Sequence, residues 1–145
     1  MLHLWSVDKR TSVAFFALSL LTSCSHQKPI SRDELASKLR SADSIACETN
    51  TFIDYVREQR ATKDYAKGHV EYLLLEVSTN SKELRDALPP PGAQAELDNS
   101  RRVTQALAAL LGKLSRNIDR PEELADEKAQ IAAIHRQLEQ VISSL

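Results

Sequence analysis

The side chains that could carry chemistry are few, and His69 and His135 come first. A di-iron carboxylate site needs Glu-x-x-His pairs, which bring a carboxylate and an imidazole together one helical turn apart. The residue three before His69 is Ala66, and the residue three before His135 is Ala132. Covalent haem attachment needs Cys-x-x-Cys-His, which does not occur. Met1 is the only methionine, and it falls in the leader described below, so Met–His ligation of haem is excluded in the processed chain. Two-histidine ligation by His69 and His135 stays open, although His135 adjoins core position Ile134 and reads as an edge residue. His69 and Glu76 share a helix face, yet two ligands do not make a metal site. No serine stands in a Gly-x-Ser-x-Gly or Ser-x-x-Lys string within a strand-turn-helix context. Ser37-Lys38 and Ser81-Lys82 read as helical surface pairs. The expectation is a protein that is not an enzyme, with no catalytic residue, no metal ligand set and no cofactor.

Bulk composition narrows the field further. A chain of 145 residues is one ordinary domain. Its 19 basic and 20 acidic side chains leave no electrostatic footprint for nucleic acid. Only 3 glycines argue against phosphate-cradling loops and against sheets with many tight turns. Two cysteines, Cys24 and Cys47, are too few for a disulfide scaffold.

The first 24 residues have an organisation of their own. A basic stretch ends at Lys9-Arg10, an apolar run covers residues 13–21, and Leu21-Thr22-Ser23-Cys24 follows. The run suits a secretory leader and is too short for a spanning helix, which takes ~20 apolar residues. Leu21-Thr22-Ser23-Cys24 resembles the lipobox of bacterial lipoproteins: an aliphatic residue, two small ones, then cysteine. The resemblance implies that residues 1–23 are a signal peptide cut between Ser23 and Cys24. It also implies that the Cys24 sulfur carries a diacylglycerol, with the new amino terminus acylated, palmitate being the natural label. Several chains at about 0.8 kcal/mol per buried methylene give firm attachment to the bilayer. In this family Ser25 after the cysteine favours the outer membrane, with the domain facing the periplasm or the exterior. Residues 24–30 form the tether, and seven extended residues span at most roughly 25 Å. Beyond the lipobox, residues 25–145 resemble no family that we recognise.

From Ser31 onward every segment has helical spacing. Ser31-Arg32-Asp33-Glu34 is a capping box. Leu35, Leu39, Ala42, Ala46, Thr49, Ile53 and Val56 then alternate steps of 4 and 3, widened by Ile45 and Phe52 into the broad stripe of a bundle helix. The stripe resumes at Val70, Leu73, Leu74, Val77, Leu84 and Leu88, and Pro89-Pro90-Pro91-Gly92 stops it. A third stripe runs Leu97, Ser100, Thr104, Leu107, Leu111, Leu114, Ile118. Asp119-Arg120-Pro121-Glu122 reads as a cap with an early-helix proline, followed by Leu124, Ile131, Ile134, Leu138, Val141 and Leu145. The fold expected over residues 31–145 is an all-α, antiparallel up-down four-helix bundle, with helices about 31–60, 64–88, 93–118 and 120–144. Unbroken phase across residues 60–64 leaves an alternative, one long helix over 31–88 in an extended hairpin. A turn there is preferred, because a helix exposed on both faces has no packing to hold it.

Two surface features remain. Cys47 falls opposite the first stripe and is expected to be an exposed free thiol, able to pair between chains in an oxidising compartment. Beyond the leader the aromatics are Phe52, Tyr55, Tyr65 and Tyr72, near the first joint among Arg57, Arg60, Lys63, Lys67 and His69. With the amino end at the bilayer, this joint becomes the membrane-distal tip. Tyr55, Arg57, Arg60, Lys63, Tyr65 and Lys67 are then a candidate interaction tip for an anionic wall polymer or an envelope protein. The plainer reading has Phe52 and Tyr72 closing the end of the bundle while the cations solvate a turn. The role expected is a lipid-anchored structural or interaction module of the cell envelope. The competing reading is a ligand-, haem- or metal-binding bundle.

Overall fold

The computed structural model describes residues 29–145. The signal peptide, the Ser23–Cys24 cleavage position and the Cys24 anchor lie outside the described residues. Four helices follow in order: α1 (Arg32–Arg57), α2 (Lys63–Asp86), α3 (Gln94–Asn117) and α4 (Leu124–Ser143), the last entered through a 3-10 turn at Pro121–Glu123. The 26 residues of α1 span about 39 Å at 1.5 Å per residue. Neighbours run antiparallel in the up-down order, with α1 also touching α3 across the core.

Local chemistry sets the ends. Ser31 Oγ accepts from the Glu34 amide at 3.1 Å, and Asp33 and Glu34 add negative charge where the helix dipole favours it. Helix α1 closes in a Schellman motif: the Arg60 amide donates to Tyr55 O at 3.1 Å and the Gln59 amide to Val56 O at 2.9 Å. This puts Gln59 in the left-handed region at φ 57°, where glycine is usual. Thr62 Oγ1 then accepts from the Tyr65 amide at 3.3 Å and starts α2. The turn excludes one long helix over 31–88, because two capping arrangements in five residues satisfy backbone groups that a continuous helix would pair internally.

The helices are shorter than expected at several ends. Helix α1 stops at Arg57 and α2 at Asp86, since the Schellman turn and the approach to Pro89 each remove residues from the helix. The fourth helix begins at Leu124 rather than 120. Asp119 does not cap it; Arg120 precedes the 3-10 turn, which has no side-chain cap, and Pro121 opens that turn.

The stripes of α1 and α3 are buried throughout. Thr49, Ser100 and Thr104 are tolerated there because each hydroxyl donates to a carbonyl one turn back in its own helix, at 2.6 to 2.8 Å. The other stripes are narrower than expected. Leu88 is exposed, Leu74, Val141 and Leu145 are half-buried, and Ala66 joins the core.

The base of the bundle is tied at three points. Ile30 is buried and its amide donates to Leu88 O at 3.1 Å, so the end of the expected tether packs against the proline joint. Arg32 Nη1 donates to Leu145 O at 3.1 Å. The Arg101 guanidinium donates to Leu84 O, Arg85 O and Ala87 O at 2.9, 3.2 and 2.7 Å, satisfying carbonyls left open where α2 ends. The amino-terminal segment, the proline joint and the carboxyl terminus therefore share one end. The Glu58–Thr62 turn and the Pro121 turn form the other.

Candidate functional site

Helix α1 meets α4 on one flank and α2 on the other. On the α4 flank, Asp43 Oδ1 lies 2.6 Å from His135 Nδ1, and Lys128 Nζ lies 2.6 Å from both Asp54 oxygens. On the α2 flank, Lys38 pairs with Glu83 near the base, and Asn80 Nδ2 donates to Lys38 O at 3.0 Å. Toward the tip the α2 flank changes character and becomes aromatic.

Phe52, 8% exposed, is the hub. Its ring centroid lies 4.2 Å from His69, 6.0 Å from Tyr65 in an edge-on arrangement, and 6.2 Å from Tyr55 in a stacked one. Tyr65 in turn stacks on His69 at 5.9 Å with 17° between the rings. Tyr55 and Tyr65 keep 40% and 57% exposure although each stacks on a neighbouring ring. His69 Nε2 meets Glu48 Oε1 at 3.1 Å. These rings, with Glu48, Thr51 and the exposed Cys47 thiol, line an open groove of ≈ 510 Å³ between α1 and α2. A volume in the range of ordinary ligand clefts, with aromatic rings and one histidine–carboxylate contact, suits recognition of a small molecule or side chain.

Several sequence expectations change at this point. His69 shares its face with Glu76 in sequence terms, but its partner is Glu48 of α1. The structure sets His69 and His135 against positions of α1 that are five residues apart, about 140° around that helix. Their rings sit on different flanks of α1 and do not offer two axial ligands to one iron. Among the described residues no three His, Cys, Asp or Glu side chains gather into a metal ligand set. Tyr72 does not close the bundle end: it is 56% exposed on the outer face of α2, and Phe52 alone is buried there.

Five of the six residues of the candidate tip divide among three surfaces, and Arg60 stands apart beside Glu58. Tyr55 and Tyr65 belong to the aromatic groove. Arg57 lies with Asp54 and Glu58 in a shallow depression against Pro121 and Glu122. Lys63 and Lys67 face Arg116 and Asp119 across the α2–α3 seam. Arg57, Arg60 and Lys67 each stand beside a carboxylate, at 3.9 Å from Asp54, 2.9 Å from Glu58 and 4.0 Å from Glu71. Cys47 is exposed as expected, on the side of α1 away from the core.

Sequence reasoning also passed over Glu127. Its side chain is 3% exposed, near the start of α4, with Oε1 taking hydrogen bonds from Asn117 Nδ2 at 3.1 Å and Lys113 Nζ at 3.2 Å. Burial acts to raise its pKa, but the hydrogen bonds from Asn117, its own backbone amide and Lys113 outweigh that and hold it below the ordinary 4.5. The available signal was an acid at a core-phase position, three residues after Leu124 and four before Ile131.

Compared with models of protein families, with characterised proteins and with solved structures, the chain matches none.

Proposed function

We propose that this chain is a bacterial lipoprotein whose helical domain is held against a membrane by an acylated Cys24 and acts there by recognition rather than catalysis. The observation that carries the reading is the basic stretch, apolar run and Leu21-Thr22-Ser23-Cys24 string in sequence. Bundle geometry supports it. Pro29, which pairs with Leu88 at the base, comes five positions after Cys24, and five extended steps reach at most roughly 18 Å. A bundle tethered so closely turns its base to the lipid and its Glu58–Thr62 turn away from it. The aromatic groove then lies in the half remote from the bilayer, where an envelope protein or a cell-wall polymer reaches it. No helix among the described residues is long and apolar enough to cross a membrane.

The reading is tested by growing cells with labelled palmitate and following the parent chain beside Cys24→Ala. Label is expected on the parent, which fractionates with membranes, and none on the variant. An unlabelled parent, or a variant processed and located like the parent, overturns the reading.

A further inference from the structure

We infer that the groove between α1 and α2 is a binding site for a small quaternary ammonium compound. This inference does not rest on the lipid anchor, since every residue it uses lies in the described bundle. The groove is lined by the exposed rings of Tyr55 and Tyr65 around buried Phe52. Each ring face carries the negative end of the aromatic quadrupole and attracts a cation placed over it. The one formal negative charge lining the groove is Glu48, so its long-range field also favours a cation. The basic side chains of the nearby turn do not line it, and Arg60 and Lys67 are held by Glu58 and Glu71.

The kind of cation follows from hydrogen bonding. Glu48 Oε1 is already engaged by His69 Nε2 at 3.1 Å, so a bidentate guanidinium contact has to share that oxygen with the imidazole. A primary ammonium buried against rings leaves N–H donors short of acceptors, at a cost. A quaternary ammonium has no N–H to satisfy and presents a diffuse charge with an apolar surface. Exposed aromatic rings beside a carboxylate match that chemistry. An opening of ≈ 510 Å³ accommodates a choline-sized solute.

The test is a titration of the protein with choline, followed through the ring resonances of Tyr65 and His69. The control is 3,3-dimethylbutan-1-ol, which has the same shape without the charge. Choline is expected to shift these signals saturably, and to bind at least about ten-fold more tightly than the alcohol. Tyr65→Ala and Glu48→Gln are each expected to weaken choline about five-fold, the size of one exposed cation–π contact. Both positions are on the surface, and unchanged backbone resonances report that the bundle is intact. Equal binding of choline and the alcohol overturns the proposal and leaves an uncharged apolar cleft. No shift with either, or no loss in both variants, also overturns it. Tighter binding of an arginine-bearing peptide such as Gly-Gly-Arg-Gly-Gly overturns the assignment to a quaternary cation.

Discussion

The two flanks of α1 solve the same packing problem differently. Toward α4 the gap is bridged by the Asp43–His135 contact and the Asp54–Lys128 ion pair, spaced three helical turns apart along α1. Toward α2 the base is bridged by Lys38–Glu83, but the upper half is held by a single large ring, Phe52, wedged against His69. Helix α1 packs more extensively against α4 than against α2, and the groove lined by Phe52, Tyr55, Tyr65 and His69 opens on the α2 side. One seam is built for stability and the other for access. Loss of packing should therefore be costly on the core side of α1 and nearly free at the rim of the groove.

The largest expected effect lies in the core that both seams share. Ile53 is fully buried, and Ile53→Ala is expected to cost about 3 kcal/mol, through lost burial and the cavity left behind. Chemical denaturation of the purified domain measures it; a cost below about 1 kcal/mol means that α1 is not seated as described.

Next comes the buried acid at the far end. Glu127→Gln is expected to destabilise by roughly 1–3 kcal/mol, since it weakens a desolvated, charge-assisted contact with Lys113. The pH dependence has a definite sign. Because the folded carboxyl titrates below its ordinary 4.5, its stabilising contribution is full above that value and is lost as pH falls through the folded pKa. Thermal melts from pH 6 to pH 3 should show the parent losing more stability than Glu127→Gln. Parallel curves contradict the assignment.

The histidine–carboxylate contacts sharpen the contrast at smaller scale. Asp43→Asn on the α4 seam is expected to cost about 0.5–1 kcal/mol, while Glu48→Gln on the α2 seam costs less than about 0.5 kcal/mol. The Asp43–His135 pair is shorter, and its acid is 25% exposed against 52% for Glu48. Smallest of all, Tyr65→Ala should leave stability within about 0.5 kcal/mol, as surface substitutions do. A large loss there would make the aromatic cluster a structural plug rather than an open site.

Much of this architecture is legible in the sequence because burial imposes periodicity. The stripes from Leu35 to Val56 and from Leu97 to Ile118 read directly as buried faces, and Ser31 and Pro89 mark boundaries through backbone chemistry alone. What the sequence hides depends on tertiary partners. Gln59 adopts a left-handed conformation because the Arg60 amide finds Tyr55 O, and no residue type announces that. Arg101 caps a helix that ended fifteen residues earlier, a pairing visible only once the proline joint has folded back. The site is legible only in part. Clustering of aromatics near the first joint was plain, but their proximity to the tip cations suggested one mixed surface. Helical phase separates them: Tyr55, Tyr65 and His69 turn toward the α1–α2 seam, while Lys63 and Lys67 turn toward α3.

The intact mass of the protein recovered from cell membranes gives the most direct test of the account as a whole. Our account requires a chain that begins at Cys24 and carries a diacylglycerol and an acyl group on that residue. A chain that retains residues 1–23, or one that begins at Cys24 without added lipid, contradicts it.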